Sequence, residues 1–292
     1  MRFMRYKWFY FTLSFLVLIP GVFSLIKYGL RLSIDFTGGT LLEIQAKNHP
    51  DFTQIASSQG LDLSSVQPSA TDTYFLRLKP ITSEQNEKFK SAIAQSSGEV
   101  VEKRFETVGP VVGRELAQKA LLALIVASLA IVAYIAWSFR HIPAPYSSWK
   151  FGVSAVVALL HDALVVLGVF SLLGHFYHVE IDALFVTAVL TVIGFSVHDT
   201  IVVFDRIREN LPKMAGKSFP EIVDFSLAET LVRSLNTSVT VLLTLLALLL
   251  FGGESIRWFI VALLVGITSG TYSSIFNAAP LLVLWESKRD TR

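Results

Sequence analysis

Cysteine is absent from the 292 residues, which removes both a disulfide framework and any thiolate metal site. Charge is scarce as well. Asp, Glu, Lys and Arg make up 16% of the chain against 52% hydrophobic residues, where soluble domains carry about a quarter charged residues. The charges crowd into the amino terminus, residues 31–119, the stretch 205–233 and the last few positions, with long apolar runs between. Such segregation suits a bilayer better than a globule. The net charge of +2 is small, and the basic residues are not interleaved with aromatics in a groove-like run, so no nucleic-acid partner is expected. No His-Glu-x-x-His run occurs, and no metal site is expected either.

A helix needs roughly 20 mostly apolar residues to cross the hydrocarbon core. Six windows qualify: 9–29, 116–139, 151–174, 182–204, 231–251 and 257–285, the last long enough to tilt. The first follows the basic start Met-Arg-Phe-Met-Arg-Tyr-Lys, and no Ala-x-Ala pattern follows Leu30. Residues 1–30 therefore read as a cytoplasmic start and a retained first span. Lys and Arg in the short flanks all fall on one side: Arg2, Arg5 and Lys7; Arg140 and Lys150; Arg206, Arg208, Lys213 and Lys217; Lys288, Arg289 and Arg292. The loops His175 to Ile181 and Gly252 to Ile256 contain neither. The positive-inside rule then puts both termini in the cytoplasm and residues 31–115 outside.

The outer segment reads as an extended run from Leu41, a helical stretch around Asp51 to Gln59, extended runs at 63–70 and Thr73 to Lys79 across a Ser/Ala/Thr/Asp turn, a helix over Ser83 to Gln95 capped by Thr82 or Ser83, and a strand from Glu99 to Thr107. Strand, helix, strand, strand, helix, strand is the ferredoxin-like order. The expected fold class is thus an α-helical membrane protein of six transmembrane helices, with an α+β ferredoxin-like domain at 31–115 and a bundle at 116–292. Between spans four and five, the segment starting at Ser218 and Pro220 reads either as a short helix at the membrane surface or as a solvated connector.

Ionisable side chains within apolar spans are costly and are functional candidates by default. His161 and Asp162 lie near the centre of span three, His198 and Asp199 in the cytoplasmic half of span four, and Arg233 in the cytoplasmic half of span five. At about 1.5 Å rise per residue, Asp199 and Arg233 come to similar depth. They are expected to meet, either as a proton relay in which desolvation and the cation pull the carboxylate in opposite directions or as a permanent lock between the spans. Asp162 reads as a second polar centre or a packing acceptor, and the two histidines as packing residues. Span five adds Asn236, Thr237, Ser238, Thr240 and Thr244. Span six carries small residues at every fourth position, Ala262, Gly266, Gly270, Ser274 and Ala278, beside Ser269, Ser273 and Asn277, a pattern for close packing on spans four and five.

These residues fall in five ordered motifs: Ile34-Asp35-Phe36-Thr37-Gly38-Gly39-Thr40, Ala158 to Asp162, Gly194 to Asn210, Thr230 to Ser238, and Gly266 to Leu282. With them the chain resembles the SecD/SecF family of bacterial protein-export membrane proteins, on its SecF side, relatives of the proton-driven resistance-nodulation-division exporters. The resemblance implies six spans with a periplasmic domain after the first, residence in the inner membrane and no enzymatic activity. It implies Asp199 and Arg233 as the proton-coupling pair, with protons, or sodium as in some relatives, as the coupling ion and no cofactor. Asp162, His198, Asn236, Thr237, Ser269 and Asn277 would support that pair, Gly266, Gly270 and Ser274 would pack helices, and Asp35, Gly38 and Gly39 would form the periplasmic motif. SecD, the SecYEG channel, YajC-like and YidC-like accessory proteins, translocating preproteins and the lipid bilayer are the implied partners.

Two departures stand out: His198 replaces the family's usual Asn, and Ser33 a common Gly, which matters only where φ is positive. A passive scaffold, a small-molecule exporter and an intramembrane aspartyl protease built on Asp162 and Asp199 are the competing readings. The protease is weakened by the missing Gly-x-Gly-Asp pattern and by about 9 Å of difference in depth.

Overall fold

The computed structural model describes residues 2–47, 49–68, 72–143 and 146–287. Of the features expected above, turn residues Ser69, Ala70 and Thr71 and the basic Lys288, Arg289 and Arg292 lie outside the described residues. The chain forms two compact units, one of Met1–Arg31 with Leu122–Arg292 and one of Leu32–Leu121.

Six helices are long and apolar enough to cross a membrane: span one Phe3–Tyr28, span two Pro110–Ser138, span three Ser148–Tyr177, span four Ala183–Lys213, span five Phe219–Phe251 and span six Glu254–Glu286. Spans three, four and six bury the most side chains, and span six packs against three, four and five. Spans one and three cross where a Cβ on Gly168 would lie 2.7 Å from the Gly21 Cα. Close by, Ser24 and Ser171 share a hydrogen bond of 2.8 Å.

One expectation is corrected, and one span carries an irregularity. The segment after Ser218 is neither a separate surface helix nor a connector, but the first turns of span five. Ser218 N–H donates to Glu221 Oε2 at 3.1 Å, Pro220 sits in the tolerant first turn, and no Gly or Pro interrupts the helix from there to Phe251. Span six, in turn, is not one regular helix. It runs as α-helix over Arg257–Ser273, widens to a π-helical turn over Ser274–Ala278 and resumes as α-helix over Ala279–Ser287. Pro280 explains the widening: it lacks an N–H for the carbonyl one turn back and its ring crowds that carbonyl. The Ser274 hydroxyl also donates to the Gly270 carbonyl, at 2.8 Å.

The smaller unit holds β1 Gly39–Ala46, a helix Phe52–Ser58, β2 Leu63–Pro68, β3 Thr73–Leu78, a helix Ser83–Ser97 and β4 Val100–Val108. The sheet order is β2-β3-β1-β4 with every neighbouring pair antiparallel. Alternation along the strands sends Leu42, Ile44, Leu76 and Leu78 to one face, where they meet Phe52 and Ala56 of the first helix and Phe89 and Ile93 of the second. Asp51 caps the first helix by accepting from Thr53 N and Gln54 N, and Thr82 caps the second through a reciprocal bond with Gln85. Glu102 on β4 accepts from Asn86 Nδ2 and pairs with Lys90 Nζ, both at 2.8 Å, which ties the second helix to that strand. The lysine holds the Glu102 carboxyl below its usual range, and the carboxylate raises the Lys90 ammonium above its own.

Candidate functional site

The polar centre of the larger unit is built on three spans. Asp162, 1% exposed, projects from span three between spans four and six. Its Oδ2 accepts from Ser196 Oγ of span four at 2.5 Å and from Ser273 Oγ of span six at 2.6 Å. Its Oδ1 accepts from Ser269 Oγ of span six at 2.7 Å and faces His161 Nδ1 at 3.0 Å. An ionised carboxylate offers roughly four lone-pair sites and no donor, so the imidazole donates as its Nδ1–H tautomer and all the sites are filled. The cage requires close helix approach, which the small-residue ladder supplies: a Cβ on Gly270 would lie 3.1 Å from Ser196 Cβ, and one on Gly266 would overlap the Val192 side chain.

Asp199 sits one turn further along span four, on the face that carries Ser196. It is equally buried, at 3% exposure, but its surroundings are poor. Its Oδ2 has no hydrogen-bond partner among the described residues, and the hydroxyl that faces the carboxylate is Thr271 of span six. That hydroxyl owns one hydrogen yet also reaches the Ile267 carbonyl at 2.9 Å, while Ser238 of span five stands 2.6 Å from it. Thr271 can therefore donate either to Asp199 or to its own backbone. Thr200, next to Asp199, meets Ser274 of the π turn at 2.9 Å, and Asn277 of the same turn accepts from Ser14 of span one at 2.8 Å.

The expected meeting of Asp199 with Arg233 is not found: among the described residues no ion pair joins them, and Arg233 is exposed. Depth along a helix does not fix direction around it. Ser234 and Ser238 are buried and face inward, and Arg233, about 100° from Ser234, shares the exposed side with Asn236, Thr237, Thr240 and Thr244. Thr237, Thr240 and Thr244 turn their hydroxyls to the carbonyl four residues earlier, at 3.0, 2.7 and 3.0 Å. Asn236 and Thr237 are thus not part of the buried site, and His198 is also exposed.

The Asp-Phe-Thr-Gly-Gly motif belongs to the smaller unit. Gly38 adopts φ of 72° and Gly39 of 131°, and a Cβ on Gly38 would stand 2.7 Å from the Pro110 Cα, so both conformation and space demand glycine. Ser33 has φ of −75° and its Oγ accepts from Asp35 N at 3.2 Å. Serine therefore costs no strain there and adds a cap.

A family model for the C-terminal part of the protein export membrane proteins SecD/SecF matches residues 88–288, and one for the SecD/SecF GG motif matches residues 23–48. The chain belongs to the SecD/SecF family. SecF of Thermobaculum terrenum is 48% identical over 97% of this chain and 93% of its own length. SecF of Synechocystis is 38% identical over 90% of this chain and 85% of its own. A crystal structure of SecDF from Thermus thermophilus superposes with a TM-score of 0.84 at 32% identity, covering 98% of this chain and 39% of the longer one. The SecD/SecF GG motif coincides with the glycine pair whose geometry is given above. Sequence reasoning did not single out Ser196 and Thr271 as site residues. Ser196 carries a readable signal, a hydroxyl one turn before a buried Asp, whereas Thr271 acquires meaning only when span six is laid against span four.

Proposed function

We propose that this chain is a SecF-type subunit of the bacterial protein-export machinery, and that it couples an ion gradient to the outward movement of proteins through Asp199. The single observation behind this reading is a carboxylate buried between helices with an unpartnered oxygen and one hydroxyl neighbour that has an alternative acceptor. Such a group can change its protonation with little rearrangement, because Thr271 turns from the carboxylate to its own backbone. Asp162, with every site filled, is unsuited to that role. One elementary charge crossing the membrane potential is worth about 2.3 kcal/mol per 100 mV, enough to drive a conformational cycle when repeated. A proton fits the site better than sodium, which would need several oxygen lone pairs around it.

Arg233 acts in this reading from outside the chain's own core. With Asn236, Thr237, Thr240 and Thr244 it forms a polar stripe on a membrane helix, and such a stripe is stable against a protein neighbour, not against lipid tails. Relatives include SecDF of Bacillus subtilis, of which this chain matches 37%, so a SecD-type partner is the proposed cover. SecYEG, YajC-like and YidC-like proteins follow from family membership alone. The smaller unit, with its βαββαβ order and β2-β3-β1-β4 sheet, is assigned as a ferredoxin-like periplasmic domain, with both termini in the cytoplasm of a cell whose inner membrane holds the chain. Transport, not proteolysis, is the assigned activity, because an aspartyl dyad needs two carboxylates sharing a proton and these two keep separate partners.

Inverted membrane vesicles holding the full chain and its partner test the reading. Asp199→Asn keeps the shape and removes the titrating proton. The gradient-dependent part of export should disappear while the gradient-independent part continues. Unchanged gradient dependence would remove Asp199 from the mechanism.

A further inference from the structure

Asp162 is a buried ionisable group that the proposed coupling step does not use, although it has a richer set of bonds than Asp199. Its four donors arrive from three directions: His161 on its own helix, Ser196 from span four, Ser269 and Ser273 from span six. All three hydroxyls present hydrogens, not lone pairs, toward the carboxylate. A cation at this point would have to break them, so the arrangement is a fastener and not an ion seat. What it fastens is specific. Ser196 lies three residues before Asp199 on span four, and Ser273 two residues after Thr271 on span six. Holding Ser196 and Ser273 on one carboxylate oxygen sets the register of span four against span six, and that register brings the Thr271 hydroxyl to Asp199 and Ser274 to Thr200.

Span three grips span six at a second height. Lys150 Nζ lies 3.1 Å from Glu286, which is 3% exposed, and also donates to the Trp285 carbonyl at 3.0 Å. The two grips bracket the π turn at Ser274–Ala278, the segment of span six whose backbone is widened. Span three is therefore the frame: Ser269 and Ser273 pin the stretch of span six that carries Thr271, and the π turn that carries Ser274 lies between the two grips.

We propose that Asp162 is the positioning residue for the Asp199 site: through Ser196, Ser269 and Ser273 it fixes where the Thr271 hydroxyl stands relative to the Asp199 carboxylate, and so sets the pH at which that carboxylate exchanges its proton. This rests on the reading of Asp199 given above. The titratable groups around Asp199 are His198 on its own helix and His161 and Asp162 on span three. Spans five and six bury the hydroxyls of Ser226, Thr230, Ser234, Ser238, Thr271, Ser273 and Ser274, the Asn277 amide and, beyond the π turn, Glu286, which is held by Lys150, while Tyr272 donates to the Tyr10 carbonyl at 2.7 Å and Arg233 is exposed.

Infrared spectroscopy of the full chain in lipid vesicles, following the stretch of protonated carboxyl groups as pH is varied, tests the proposal. Asp199→Asn should remove the titrating buried-carboxyl band. In Asp162→Asn, where an amide donor replaces an acceptor, the midpoint of that band should move by about half a pH unit or more. Ser196→Ala and Ser269→Ala each delete one bond and should move it less and in the same direction, and Ser269→Thr, which keeps the hydroxyl at a half-buried position, should restore the starting midpoint. The serine variants keep the test alive should Asp162→Asn fail to fold. An unmoved midpoint in folded Asp162→Asn or in both alanine variants, with the band still lost in Asp199→Asn, overturns the positioning role alone. A band that persists in Asp199→Asn overturns the reading of Asp199 beneath it.

Discussion

Two buried carboxylates on neighbouring helices of the same bundle are treated in opposite ways. Asp162 receives a donor at every site, two on each oxygen, and ties three helices together. Asp199 keeps an oxygen with no partner among the described residues and shares a hydroxyl that has somewhere else to go. Burial alone does not separate the two, since both are nearly inaccessible. The supply of hydrogens does. A saturated buried carboxylate holds structure in place, and an undersupplied one is free to change state, so the same residue type provides the frame and the moving part.

Removing the frame should have the largest effect. Asp162→Ala leaves three hydroxyls and an imidazole without their acceptor, at a cost of about 3 kcal/mol, and thermal unfolding in detergent should show a lower midpoint than in Asp199→Ala. The reverse order would undo the contrast. Next comes helix approach: Gly266→Ala places a Cβ inside the Val192 side chain, at a cost of about 2 kcal/mol from overpacking. Adding Val192→Ala should recover most of it in the same assay, and failure to recover would mean that the ladder is not set by this contact.

A smaller effect is expected in the other unit, where Glu102→Gln weakens the tie to Lys90 by about 0.5–1 kcal/mol. Because Lys90 holds the Glu102 carboxyl below its usual range, this contribution is complete above the unfolded value of about 4.3 and fades as pH falls through the lowered folded one. Amide protection in helix Ser83–Ser97 of the full chain, taken relative to the intrinsic exchange rate at each pH, should therefore fall in acid, and the difference between native and Glu102→Gln chains should vanish there. Least of all should Arg233→Ala alter the chain's own stability, since its guanidinium is exposed. The thermal midpoint should stay put while gradient-dependent export with the partner falls. A loss of stability without the partner would bring Arg233 back into this chain's core.

Much of this was readable beforehand, and what was not has a common physical reason. Apolar length and the one-sided placement of Lys and Arg outline six helices, and period-two alternation outlines the strands, because both depend on residues near one another in the chain. Asp162 and Asp199 stand out for the same reason: a charge inside an apolar run is visible at once. The direction of Arg233 is not legible in the chain, because depth follows from counting residues, while azimuth depends on which face a neighbour covers. The serine cage needs three helices to meet before it exists. Pro280 is in plain view, yet the π turn that accommodates it depends also on the Ser274 hydroxyl drawing on the Gly270 carbonyl.

Carbodiimide labelling of the full chain in lipid vesicles, with the adducts located by mass spectrometry, tests the difference between the two acids most directly, because the reagent attacks protonated carboxyl groups in apolar surroundings. Adducts should form at Asp199, increase as pH is lowered and block gradient-dependent export, with Asp162 left unmodified. Labelling at Asp162 with Asp199 spared would contradict the assignment of moving part and frame.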